Sequence, residues 1–403
     1  MKTSMLFLAL CLPVYLFAQL NGDYTIGGNN PDFITISAAA AALQTQGEDG
    51  PVNLLIRDGV YEEQVQLNGI PGASAFNPVV FQGESQDSSA VIWEWPDASI
   101  IDNYVFYGEN LSFLYFKHLT MRRPTTGNNG RIVVVLGYAD GVFFENCALI
   151  GSTGANNFQE DLVLASYCPL IDFKQCRFEN GFEGISSAGQ FNGPFEGAIH
   201  VDQCTFVNQK EAGVFGIYID HVWVTNSTFL SQNINGNVGI LIEDTDNASI
   251  LTGNYFYFDN TILSGNTAIE MDGQIPTPNA SLIANNMIAM FGGNGSSSGI
   301  RLLGIEAANV YFNTVRIRKT PGYQCYAALV DNCVAVNLLN NNFVAEGSPT
   351  IGYFQEGVQF NDYNNFYTEP GVNWLANLTT GAHCHSVDPG FLDDTDLHVS
   401  ISD

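Results

Sequence analysis

A repeat of nearly fixed period constrains this chain more than any other feature. VFFENCAL (142–149), IDFKQCRF (171–178), IHVDQCTF (199–206) and VWVTNSTF (222–229) align without gaps. Each reads apolar, variable, apolar, variable, amide, small, variable, apolar. LYFKHLTM (114–121), ILTGNYFY (250–257), LIANNMIA (282–289), NVYFNTVR (309–316) and LLNNNFVA (338–345) are weaker copies. The amide falls at Asn146, Gln175, Gln203, Asn226, Asn254, Asn286, Asn313 and Asn341, in steps of 29, 28, 23, 28, 32, 27 and 28 residues. GI-type strands form a second ladder at Ile185, Ile217, Ile240, Ile269 and Ile300. Alternating short strands with Gly/Asn/Ser turns cannot bury their apolar face in one copy, but stacked copies make a continuous core. A propeller blade would need about 40 residues or more.

The expected fold is therefore all-β: a single right-handed parallel β-helix of about ten coils, with a step near 28 residues. Equivalent positions stack about 4.8 Å apart, so Cys147, Cys176, Cys204 and Ser227 share one rung position. Amides suit the tight turns, where they tolerate left-handed backbone. The strands VNLLIRDG (52–59) and PVVFQGE (78–84) open the stack. An open coil exposes strand edges, and DFITISAAAAALQTQG (32–47) supplies a capping helix over Ala38 to Leu43, with Thr35 or Ser37 as N-cap.

Residues 1–18 read as a secretory signal peptide: Lys2, an apolar run from Met5 to Phe17, then Ala18 before Gln19. Residues 19–50 form an opening segment and capping helix, and 51–403 the β-helix. The chain stops at DLHVSISD without a cap, so further C-terminal domains are expected in a longer product. No other stretch is apolar enough to cross a bilayer. Lys and Arg number 13 against 41 Asp and Glu, a net charge of −28, which argues against nucleic acid as a partner. A location outside the cell or on its outer surface follows. Seven cysteines remain after Cys11, an odd number without CxxC pairs, which points to free thiols.

The opening GDYTIGGNNPDFITISAAAAALQTQGEDGPVNLLIRDGVYEEQVQL, then NPVVFQGES, resembles the start of pectin-lyase-like right-handed parallel β-helix proteins. It is most similar to the secreted surface β-helix proteins of Bacteroidetes, and DPGFLDDTDLHVS resembles the run in which such helices end. The resemblance covers the mature chain and implies the fold. It leaves activity open between polysaccharide lyases, hydrolases, esterases and non-catalytic adhesins or stalks. A polygalacturonase-type site would need NTD, DD and GHG clusters and a later RIK; only RIRK (316–319) echoes these.

Alternation along the GI strands places Tyr218, Leu241, Glu270 and Arg301 in one outward column and Asp220, Glu243, Asp272 and Leu303 in the next. Three stacked carboxylates, Asp220, Glu243 and Asp272, could hold Ca²⁺ through oxygen ligands. Glu270 and Arg301 would be the catalytic pair, Arg301 serving as base or as a grip on a uronate. The plainer reading is a solvated acidic face. His200 and His221 read as offset in the coil and structural or exposed. The expected function is a non-catalytic surface module, an adhesin, stalk or glycan-contacting rod. The alternative is a polysaccharide lyase or other carbohydrate-active enzyme acting on acidic polysaccharide.

Overall fold

A computed structural model describes residues 19–398 apart from 97–98, 125–128, 138–139, 192–194, 235, 260–264, 275–278, 293–294, 319–324, 348–350 and 369–377. The signal-peptide reading and the last residue of RIRK, Lys319, lie outside the described residues. The chain winds into about eleven coils of a parallel β-solenoid of the right-handed type. Three sheets run along it, here named A, B and C, with 13, 12 and 11 strands. One coil illustrates the rest: Ile171–Lys174 in sheet A, Arg177–Glu179 in B, Glu183–Ala188 in C, then Ala198–Asp202 back in A. At strand spacing the stack is roughly 55–60 Å long.

The turn from sheet A to sheet B explains the repeat motif. Asn146, Gln175, Gln203 and Asn226 have φ between 50° and 55°, the left-handed region that amides tolerate. The next residue points into the core, and there Cys147, Cys176, Cys204 and Ser227 do share a rung. Beyond Ser227 the alignment by amide letters slips by one. The left-handed residues become Gly253, Asn285, Phe312 and Asn340, while Asn254, Asn286, Asn313 and Asn341 continue the buried rung. Each of these inner asparagines accepts from the backbone N–H of the coil before it. Asn254 N donates to Asn286 Oδ1 at 3.0 Å, and Asn286 N to Asn313 Oδ1 at 3.1 Å. The side-chain amide of each also satisfies a carbonyl, such as Leu251 O from Asn286 at 2.8 Å. An amide inside the core is stable because both its ends are paired.

Apolar residues of all three sheets fill the interior, and stacked rings carry it from coil to coil. Phe178, Phe206, Phe229 and Phe256 stack at 4.6–4.7 Å. Gly213 and Gly239 of sheet C lie against these rings; a Cβ on Gly213 would stand 2.7 Å from Phe229. That close approach sets the register of sheet C. Val214, not Ile217, pairs with Ile240, and Ile217 pairs with Glu243. The GI of 216–217 is thus no core pair: Ile217 faces outward and Ile219 is buried.

The helix expected near the start spans Ile36–Gln46, and Thr35 caps it by accepting from Ala38 N at 3.0 Å. Glu63 holds Ile36 N and Ser37 N as well. Ile36, Ala39, Ala40, Ala42 and Leu43 join the core, packing on Val65–Asn68, the end strand of sheet C. After the last coil the chain turns back across sheet B. Asn365 pairs with His385, Arg316 and Arg318 bind Asp394, and Tyr255 donates to Thr395 O at 3.0 Å.

Candidate functional site

Six of the residues singled out from the sequence lie on the outer face of sheet C. Leu241, Glu270 and Arg301 are consecutive partners on three coils, and Glu243, Asp272 and Leu303 form the adjoining column. Arg301 donates to Glu270 Oε1 at 2.8 Å, and the Glu270 side chain is 12% exposed. Burial pushes the Glu270 carboxyl up despite the opposing pull of Arg301. Glu243 is raised by burial first and then by Asp272 and Asp244. Asp220 does not belong to this column. The register set by Gly213 and Gly239 puts Ile217 beside Glu243, so Asp220 is carried three residues further, past the end of the strand. The carboxylate set Asp220, Glu243 and Asp272 is therefore divided. Among the described residues, no group of three or more His, Cys, Asp or Glu is placed to hold a metal ion.

Asp220 lies instead at the corner where the chain passes from sheet C to sheet A, and there the structure assembles a denser site. Asp172, His200 and Trp223 are consecutive partners on the outer face of sheet A. They occupy the second, "variable" position of the aligned motifs, so column two of the repeat was the signal that placed His200 beside Trp223. The His200 and Trp223 rings stack in parallel at 4.4 Å. His200 Nε2 faces His221 Nε2 at 2.9 Å, and His221 Nδ1 meets Asp220 Oδ2 at 2.5 Å. On the far side His200 Nδ1 stands 3.7 Å from Asp172.

Proton counting fixes the roles in this row. His221 Nδ1 must donate to the Asp220 carboxylate, so its Nε2 accepts and His200 Nε2 donates. Asp172, His200, His221 and Asp220 follow one another in one line. Burial lowers the affinity of His221 for a second proton, with Asp220 opposing. Burial raises the Asp220 carboxyl, but hydrogen bonds from Asn247 and His221 outweigh it and leave it below the usual range. Its neighbour Asp246 is raised, by burial and then by Asp220 itself. Two adjacent carboxyls held apart in proton affinity are the arrangement that acid–base chemistry uses.

This corner opens on a surface cleft of about 500 Å³. Asp220, His221 and Trp223 line it, with Asn247, Asn279 and Asn309 as amide donors and acceptors, and Ile250 and Leu282 as an apolar floor. Trp223 is 38% exposed, whereas Trp93 is buried and donates to Glu63 O. The basic residues Arg316 and Arg318, the other feature that suggested acidic glycans, are engaged internally. Both bind Glu346, at 2.9 and 2.7 Å, and Asp394.

No family model and no curated protein sequence matches this chain. Among solved structures it is similar to a GH136 lacto-N-biosidase from Eubacterium ramulus. The selenomethionine and native forms of that protein give TM-scores of 0.54 and 0.52 at 10% identity, covering 91% of this chain and 68% of that one. A pectin methylesterase from Aspergillus niger aligns at 11% identity over 95% of this chain and 91% of that one, but its TM-score of 0.27 carries no argument. At such identities the likeness shows the fold alone, a parallel β-helix.

Proposed function

We propose that this protein is a carbohydrate-active β-helix enzyme that cleaves a glycosidic bond at the corner cleft, with Asp220 as its acid–base group. The observation that carries this reading is the Asp172–His200–His221–Asp220 row opening on a cleft with an exposed tryptophan. Aromatic faces, amides and a positioned carboxylate are the groups that bind and work on sugars. The fold shared with a lacto-N-biosidase is compatible with it, as fold-level analogy only.

The chemistry balances between two adjacent carboxyls, with His221 holding Asp220 in place. Asp246, the carboxyl of raised proton affinity, supplies a proton through Asp220 to the leaving glycosidic oxygen as its bond to the anomeric carbon breaks. Water adds its oxygen to the anomeric carbon, and the proton it sheds returns through Asp220 to Asp246. The anionic site also favours the positive charge that develops on the sugar ring. Secretion through residues 1–18, and kinship with surface β-helix proteins of Bacteroidetes, belong to the same proposal.

The test is product release from a panel of neutral and uronate glycans, read both as new reducing ends and as the absorbance of unsaturated uronates. We expect reducing ends from neutral glycans and a loss of about 100-fold or more in Asp220→Asn. Binding without cleavage anywhere on the panel would overturn the catalytic reading and leave a glycan-contacting rod. Cleavage unaffected by Asp220→Asn would move the centre elsewhere, with Glu270 and Arg301 next to be replaced.

A further inference from the structure

The corner cleft is elongated along the solenoid axis. Trp223, Ile250, Leu282 and Asn309, all in its lining, are consecutive members of one outward column of sheet A. Three coil steps separate the first from the last, about 14 Å. The same column continues the other way through His200, Asp172, Phe143 and Tyr115. Further along it lies a second aromatic platform, in which Tyr115 and Phe143 stack at 4.5 Å with 12° between their planes. Phe143 lies three coil steps from Trp223, again about 14 Å. Sheet A thus presents stacked aromatic pairs, each with its ring edges turned outward, at two places on one straight line, with the acid–base row between them.

We propose that this column is a binding track for a linear, uncharged polysaccharide lying along the solenoid axis, with Phe143 and Tyr115 as a remote subsite. The proposal deepens the glycan reading of the corner cleft and rests on it. A linear pyranose chain advances by close to one coil step per sugar, so successive rings meet successive coils. Trp223 would hold a sugar near the acid–base row and Phe143 one about three sugars away. The lack of charge follows from the lining: Asp220 is its carboxylate, and it contains no Lys or Arg. Lys117, beside the remote platform, is tied to Glu145 at 2.6 Å. A uronate chain would bring its negative charges to a protein of net charge −28 without a cation in the cleft to receive them.

The test is a titration with uncharged gluco-, xylo-, manno- and N-acetylglucosamine oligomers of graded length, with oligogalacturonides as the charged series. For at least one neutral series, affinity should rise roughly tenfold between trimer and hexamer, the contribution of one more aromatic platform. Phe143→Ala should remove that gain and leave trimer binding unchanged, which also shows that the variant is folded. Trp223→Ala should weaken both lengths. The track is overturned if affinity stops rising at the trimer, if Phe143→Ala leaves the hexamer as tight as before, if oligogalacturonides bind as well as the neutral series, or if no series binds. Length-dependent binding without cleavage would sink the enzyme reading and keep the track. Cleavage by an enzyme indifferent to Phe143→Ala would do the reverse.

Discussion

At the scale of single residues, the inner rung carries two chemistries. On the N-terminal side it is thiol: Cys176 N donates to Cys204 Sγ at 3.3 Å, and Cys204 N to Ser227 Oγ at 3.0 Å. From Asn254 onward it is amide, and each side chain serves backbone groups of a neighbouring coil. Replacing Asn286 by Ala leaves the buried Asn254 N without a partner and takes from Leu251 O its side-chain donor, so we expect a loss of about 1–3 kcal/mol. Cys204→Ser should cost about 1 kcal/mol or less, because a hydroxyl already fills the same rung at Ser227. Denaturant midpoints of the two variants, measured side by side, check the pair. The rung was half legible in the sequence. The cysteines announce it, but after Ser227 the same letter Asn occupies both the left-handed position and the buried one. Only the backbone tells them apart, as when Asn285 takes φ of 55° and Asn286 turns inward.

Elements of the coil show where charge enters the fold. Asp161, just before the sheet C strand Val163–Ser166, is 1% exposed, and Glu183 at the start of the next sheet C strand is 7% exposed. Burial first, and then the charge of Glu183 on Asp161 and of Glu211 on Glu183, pushes both carboxyls up despite Arg131. The folded state therefore keeps protons that the unfolded chain releases above about pH 4. It binds more protons than the unfolded state from there through neutrality, so stability must fall as pH rises across that range. We expect a lower melting temperature at pH 9 than at pH 5. In Asp161→Asn the same melting series should be flatter. A second element, the returning segment near 385–398, is held on sheet B by Arg316 and Arg318, and the Phe391 ring lies 5.4 Å from the Arg316 guanidinium. Replacing both arginines by Ala should free this segment. Limited proteolysis with peptide mapping should then cut within 385–398 while the coils stay intact.

For the whole molecule, the repeat made the architecture readable and hid the site. In-out alternation and a step near 28 residues suffice to predict stacked coils, since no lone coil can bury its apolar residues. Register was harder. GIYID and GILIED look alike, yet Gly213 and Gly239 must face the Phe rings, and this three-residue offset carries Asp220 to another face. The acid–base row joins residues 172, 200, 220 and 221, which become neighbours only once three coils are superposed. The ends belong to this scale too. Deleting the helix Ile36–Gln46 uncovers Val65–Asn68 at the end of sheet C, so such a variant should self-associate, readable by light scattering.

The inner asparagine ladder has one more consequence, a mechanical one. From Ser227 N to Asn364 Oδ1 every hydrogen bond of the ladder points the same way along the axis. Tension applied between the ends loads these bonds in series, beside the strand pairing. Across Cys147, Cys176 and Cys204 the weaker sulfur contacts take their place. A rod built this way has a stiff half and a compliant half, and pulled lengthwise it should yield first at the thiol coils.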